Sequence, residues 1–323
     1  MGVKRLQSKY GGFNKMDRIY LPEGNIYFTE ENRLYTSDLK GLEKAMEEGV
    51  ILEARAGMCD ACHNLYVDFG FCRGIIPRSE AVYSPSGEAV KDIAIITRVG
   101  KIVCFVVTSV EENENGTFVM LSRRIAQKKC CDEYIRGLSC GDVIEASVTH
   151  TEKFGAFCDI GCGMPALLPV DCISVSRIEH PSERFSTGQR IMAAVKAIES
   201  DICRITLSHK ELLGTWLENT SQFEPGQTVT GIVRSIEPYG IFVELTPNLA
   251  GLAEWCDGIE LGGCVSVYIK SIIPEKMKIK LVIVDTGCER EDGELVYYTD
   301  SPHLDFWRYS PEGCKKEIYT EFE

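Results

Sequence analysis

Two short motifs carry the side chains with the clearest chemical use. Phe154-Gly155-Ala156-Phe157 and Tyr239-Gly240-Ile241-Phe242 share one pattern, aromatic-Gly-aliphatic-Phe, and an acid, Asp159 or Glu244, follows two residues after each Phe. Rings three residues apart, beside a glycine where the chain bends, can stand clear of a fold and stack on planar ligands. A nucleobase stacked in this way is worth ~1–3 kcal/mol whatever its identity. The alternative is that the rings only fill a core. His63 and Tyr66 repeat the spacing with a weaker pair of flat rings.

Other constellations invite different chemistry. Residues 59–63 read Cys-Asp-Ala-Cys-His, the spacing of a haem-attachment site. Covalent haem is attached outside the cytoplasm, and Met1 to Arg18 is basic and polar, without the apolar stretch of an export signal. A zinc site on Cys59 and Cys62 would need two further ligands, for which Cys72 and His63 are at hand, yet no second Cys-x-x-Cys exists. No metal and no cofactor are therefore expected. The fifteen cysteines are odd in number and irregularly spaced, which suits buried small hydrophobes in a reducing compartment better than a disulfide framework. Cys130–Cys131, side by side, reads as incidental. Walker, G-x-S-x-G, H-E-x-x-H and Rossmann patterns are all missing, so the chain reads as a non-enzyme.

The elements that must position the rings emerge from self-comparison. GDVIEASVTHTEKFGAFCDIG from Gly141 and GQTVTGIVRSIEPYGIFVELT from Gly226 each give an alternating strand, a Gly-containing bend and a second strand. MPALLPVD and LAGLAEW then supply short apolar segments, GQRIMAAVKAIE and GGCVSVYIKSII further strands, and CRITLSHK and KIKLVIVD closing ones. A diverged copy begins at Gly49 and runs through RGIIPRSE and GKIVCFVVTSV to FVMLSRR. Five short strands repeated three times suit small closed antiparallel barrels, which leave no sheet edge exposed. Helical connectors are expected over 36–46 with Ser37 as N-cap, over 123–136, and over 209–217, giving a semi-rigid string of beads.

At 323 residues, 44% hydrophobic and 26% charged, the composition is that of an ordinary globular protein with several domains. A net charge of −13 argues against a wholesale electrostatic grip on nucleic acid and leaves binding to local faces. Residues 286–323 carry 4 basic and 10 acidic side chains, a net −6, together with Tyr297, Tyr298, Phe306, Trp307 and Tyr309. That many aromatics suits either packing on the third barrel or recognition of a partner.

FGAFCDIG, then ALLP, then GQ before a strand, then RITLSHKEL closely resembles the S1 RNA-binding domain family of bacterial ribosomal protein S1. The resemblance spans roughly 44–285, strongest in the second copy, and the three-copy layout looks like a short Gram-positive form. It implies an all-β chain of three tandem five-stranded OB-fold barrels joined by short helices. Expected boundaries are an N-terminal extension with a helix (1–43), S1-type domains at 44–126, 138–214 and 223–286, and an acidic aromatic tail (287–323).

The function the resemblance implies is binding of single-stranded RNA, mRNA above all, in translation on the small ribosomal subunit, in the cytoplasm and away from membranes. The N-terminal region and first domain would dock on subunit proteins. A protein-interaction scaffold, or an RNA-linked regulator off the ribosome, is the alternative. The family's aromatic pair falls on Phe154 and Phe157, on Tyr239 and Phe242, and on His63 and Tyr66. Its phosphate-facing cation falls on Arg204 in the second copy. In the third, Lys276, Lys278 and Lys280 have a spacing of two that puts them on one sheet face. Phe118 stands there in the first copy, and Pro77, Pro169 and Glu254 replace a family histidine.

Overall fold

In the computed structural model, residues 20–113, 116–288 and 295–323 are described. They form three closed five-stranded barrels of identical strand order, first-second-third-fifth-fourth. The first comprises β1 (Leu52–Cys59), β2 (Leu65–Asp68), β3 (Arg73–Ile76), β4 (Ile102–Asn113) and β5 (Gly116–Ser122). The second comprises β6 (Val143–Glu152), β7 (Gly155–Asp159), β8 (Pro165–Pro169), β9 (Arg190–Glu199) and β10 (Arg204–Ser208). The third comprises β11 (Thr228–Glu237), β12 (Gly240–Thr246), β13 (Leu249–Ala253), β14 (Cys264–Ile273) and β15 (Lys278–Thr286). In each, the third and fifth strands pair in parallel and close the sheet. This is the all-β, OB-fold-like architecture that the repeats lead one to expect.

The connectors differ from the expected helices in instructive ways. The N-terminal helix is two, α1 (Glu30–Thr36) and α2 (Leu39–Glu48), and the cap of the second is Asp38, whose carboxylate accepts the Gly41 N–H at 2.7 Å. A short α3 (Asp92–Ile96) crosses the first barrel, and α4 (Arg123–Glu133) leads to the second. Residues 209–217 form no single helix: Gly214, at φ +83°, separates a 3-10 turn from α5 (Trp216–Thr220).

The string of beads is corrected by the packing. Strand β4 is buried on both faces: Val103, Phe105 and Val107 fill their own barrel, while Cys104 and Val106 join a cluster with Ala126, Cys130, Ala156, Cys158 and Ile160 of α4 and the second barrel. Its unbroken apolar run is thus the signature of a two-sided interface. Glu23 ties the same seam. Its carboxylate takes the Arg123 guanidinium at 2.7 Å and the Cys104 N–H at 3.0 Å, and its own N–H donates to Asp159 at 2.7 Å. Burial pushes the Glu23 carboxyl up, but the adjacent Arg123 holds it below the usual range. Burial, and then the Glu23 charge, push Asp159 well up. A disulfide, Cys131–Cys203, ties α4 to the second barrel, so one member of the adjacent cysteine pair has a partner while Cys130 is a free, buried thiol.

Between the second and third barrels, Arg184 and Arg234 converge on the fully buried Glu244, and Arg234 also pairs with Glu183. Asn248, likewise buried, accepts the Val175 N–H at 2.9 Å and donates to the carbonyls of Lys210 (2.8 Å) and Gly214 (3.0 Å). The acidic tail then straps the pair. Trp307 and Tyr309 enter the third core, and the hydroxyl of Tyr297 accepts the Met192 N–H of the second barrel at 3.0 Å. The tail ends in a ribbon of β16 (Phe306–Arg308) and β17 (Tyr319–Glu321).

His209 sits under this strap, 1% exposed, between the rings of Phe185 and Tyr297. Its Nδ1 lies 3.1 Å from the Ile173 carbonyl, an arrangement that needs a proton on Nδ1. Burial pulls its pKa down to about 4, against the pull of that carbonyl. The unfolded chain therefore binds a proton that the folded one refuses, and stability falls as pH drops from about 6.5 towards 4. The expected loss between pH 7 and 5 is on the order of 1–2 kcal/mol. Glu53, which burial raises to about 7, works in the opposite direction over part of this range, losing stability as pH rises. Urea unfolding of wild type and His209→Gln at both pH values isolates the histidine: the variant should lose less stability at pH 5.

Candidate nucleic-acid interface

The hairpins place the rings alike in the second and third barrels. The first strand of each carries a β-bulge, between Val148 and His150 and between Val233 and Ser235, which resets the alternation just before the turn. Beyond it Phe157 pairs with His150, and Phe242 with Ser235. Pairing continues from Phe157 to Leu167 and Thr206, and from Phe242 to Leu252 and Lys280. Each row crosses the outside of its barrel, half-buried or exposed, while its strand neighbours fill the core.

Phe154 and Tyr239 stand at the hairpin turns, 57% and 68% exposed. Phe154 meets Phe157 edge to face at 5.9 Å and 88°, and Tyr239 meets Phe242 at 6.2 Å and 88°. The glycines between them are required by close approach. A Cβ on Gly155 would lie 2.6 Å from the Leu168 carbonyl oxygen, and one on Gly240 2.5 Å from that of Ala253. Four rings are therefore held outward in two matching pairs, each offering a free face for stacking.

The cations are distributed less evenly. Arg204, exposed, begins β10 and lies 3.5 Å from Glu199. Its register counterpart is Lys278, and Lys280 follows on the same outward face of β15. Lys276 is not on that strand. It ends a 3-10 turn, and Met277 at φ +47° breaks the path, so the three lysines do not share one sheet face. Asp159 and Glu244, which follow the rings in sequence, face inward into the two seams and take no part in this surface.

The first barrel differs. Tyr66 occupies the row, between Met58 and Ile75, but its hydroxyl donates to Asp60 at 2.9 Å. The backbone N–H of Asn64 leads the set of donors that hold Asp60 below the usual carboxylate range. His63 adopts a left-handed conformation, φ 63°, with Nδ1 3.5 Å from Asp92. Phe118 stands where the other barrels have Arg204 and Lys278. Two carboxylates hold the rings of this face, and its strand cation is Arg73 at the start of β3 rather than a residue of the fifth strand. Among the described residues no cluster of three or more His, Cys, Asp and Glu is arranged to hold a metal ion, and no helix is long and apolar enough to cross a membrane.

Several residues on or beside the surface escaped the sequence reading. His150, exposed, stacks near-parallel with Phe157 at 6.4 Å and 16°. Lys196 and Lys270 each occupy the bulge of a fourth strand, which turns them towards the segment after the third. A bulge shifts the alternation by one residue, and no residue type in these strands announces where that shift falls. Trp255, just after β13, is 55% exposed.

Three tandem OB-type barrels, two of them with outward aromatic pairs, define the class. The sequence profile described as "S1 RNA binding domain" matches residues 139–210, the second barrel. "Small ribosomal subunit protein bS1" of Staphylococcus aureus (strain COL) is 30% identical over 281 residues, covering 82% of this chain and 69% of that protein. "Small ribosomal subunit protein bS1 homolog" of Bacillus subtilis (strain 168) is 29% identical over 292 residues, covering 87% and 72%. A crystal structure of a multidomain protein with nucleic acid binding domains from Streptococcus pneumoniae is also similar, at 13% identity and TM-score 0.24, covering 75% of this chain and 76% of that one. The chain belongs to the bS1 family of small ribosomal subunit proteins.

Proposed function

We propose that this protein binds single-stranded RNA, mRNA in particular, during translation on the small ribosomal subunit, and that it binds rather than catalyses. The observation that carries this reading is the matched geometry of Phe154–Phe157 and Tyr239–Phe242, two edge-to-face pairs held outward at the same register positions. Phe154, Phe157 and Arg204 form the grip of the second barrel, and Tyr239, Phe242, Lys278 and Lys280 that of the third, with Lys276 at its margin. Stacking supplies most of the affinity, because the net charge of −13 leaves few phosphate contacts. His63 and Tyr66, tied to carboxylates, contribute little. The first barrel and the N-terminal region serve docking on subunit proteins, in the cytoplasm.

The test is filter binding of a short unstructured RNA over a salt series, beside co-sedimentation with small subunits before and after RNase. The expected log–log salt slope is shallow, about 2–4, at ~0.7 per phosphate for single strands. Absence of RNA binding at low salt, with subunit association retained after RNase, would replace the reading by that of a protein-interaction scaffold.

A further inference from the structure

Of the three tryptophans, Trp216 and Trp307 are 2% and 7% exposed, and Trp255 is 55% exposed. Its segment is anchored, since Cys256 and Ile259 pack against the third core on either side of a turn. The indole is left outward by residues that are themselves held. An indole is the side chain that gains most from burial, so one kept outside by an anchored segment asks for a partner.

The strand register says what lies next to it. β12 and β13 pair up to Ile241 with Ala253, and Gly240 lies against the Ala253 carbonyl. Two residues further along the same two chains stand Tyr239 and Trp255. The second barrel shows how this continuation runs: Gly155 pairs with Pro169, and the Val170 N–H donates to the Phe154 carbonyl at 3.0 Å. Aligned on the rings, Trp255 is the counterpart of Val170, two residues beyond the last paired row of β13 as Tyr239 is on β12. The charges around it are mixed: Glu254 and Asp257 flank it in the chain, and Glu237 ends β11 opposite Gly240. The cation at this end of the barrel is Lys270, on its bulge 3.6 Å from Glu254, whereas Lys280, opposite Leu252, and Lys278 lie back along the strands. The Lys270–Glu254 pair is open to solvent, so it exchanges readily for a phosphate.

We propose that Trp255 and Tyr239 form an aromatic cleft at the end of the third barrel that takes one unpaired nucleobase, with Lys270 meeting an adjoining phosphate. This inference rests on the RNA-binding reading and adds a stacking residue that only the third barrel has. Because every base has a π-face, the cleft accepts any base; its contribution is grip and not sequence choice.

The test uses the full chain and a twelve-nucleotide oligouridylate, followed by tryptophan fluorescence and filter binding in parallel. RNA is expected to quench the emission, and Trp255→Phe to abolish the quenching while retaining most of the affinity. Trp255→Ala should weaken binding about fivefold or more. Lys270→Gln should lower the salt slope by about 0.7. Quenching that persists in Trp255→Phe, or an unchanged affinity in Trp255→Ala, overturns the cleft if Phe157→Ala/Phe242→Ala still loses binding. If the wild type itself binds no RNA, the broader reading falls with it.

Discussion

Replacing Phe154, Phe157, Tyr239 and Phe242 together by alanine is expected to weaken binding to a short unstructured RNA by about thirtyfold or more. The figure follows from one base lost in each of two barrels at ~1–3 kcal/mol apiece. The four rings lie on the outer rows, half-buried or exposed, so truncating them opens no cavity in a core. Filter binding gives the affinity, and an unchanged thermal transition checks that the barrels persist. An unaltered affinity in a folded variant would remove this surface from consideration. The companion substitution of His63 and Tyr66 should change affinity less than twofold, because their polar atoms face Asp92 and Asp60. Changing Arg204, Lys278 and Lys280 to Gln should act differently from the ring variant, lowering the salt slope by ~0.7 for each phosphate contact removed.

Glu244→Ala is expected to be the most damaging single substitution for the pairing of the second and third barrels. Arg184 and Arg234 have side chains 6% and 7% exposed, and both converge on this carboxylate. Removing it strands the Arg184 guanidinium and leaves Arg234 with Glu183 alone, and losing one partner of a buried ion pair costs ~3–5 kcal/mol. Glu244→Gln keeps the shape and some hydrogen bonding and should cost less. The measurement is urea unfolding followed by limited proteolysis. The third barrel and its tail strap should become sensitive at lower denaturant than the second. Replacing Arg184, Arg234 and Glu244 together by apolar residues of similar volume should recover much of the loss, because desolvation then no longer opposes folding. A Glu244→Ala protein as stable as wild type would show that water reaches this seam.

Much of the architecture was legible in the chain itself because its determinants are local. Strand alternation recurring about every 85–90 residues specifies the barrels, and in the second and third a glycine at the hairpin bend places Phe154, Phe157, Tyr239 and Phe242 on matching hairpins. Those signals act over a few residues and survive without knowledge of what packs where. The spacing of Lys276, Lys278 and Lys280 misled for the same reason. Period-two reasoning assumes an uninterrupted strand, and the left-handed Met277 interrupts this one.

Tertiary structure decided everything that depends on one barrel meeting another. Asp159 and Glu244 follow the rings with identical spacing and look like surface acids, yet each is buried in a seam by residues from elsewhere in the chain: Glu23 and Arg123 for one, Arg184 for the other. The apolar run of β4 and the aromatics of the tail are explained only by the neighbours they cover. Which flat side chains are left outward, Trp255 and His150 among them, depends on bulges and turn anchors that shift the alternation by one residue. A sequence records the periods of its own segments; the contacts that bury a charge or expose a ring are made between segments far apart, and only the folded chain brings them together.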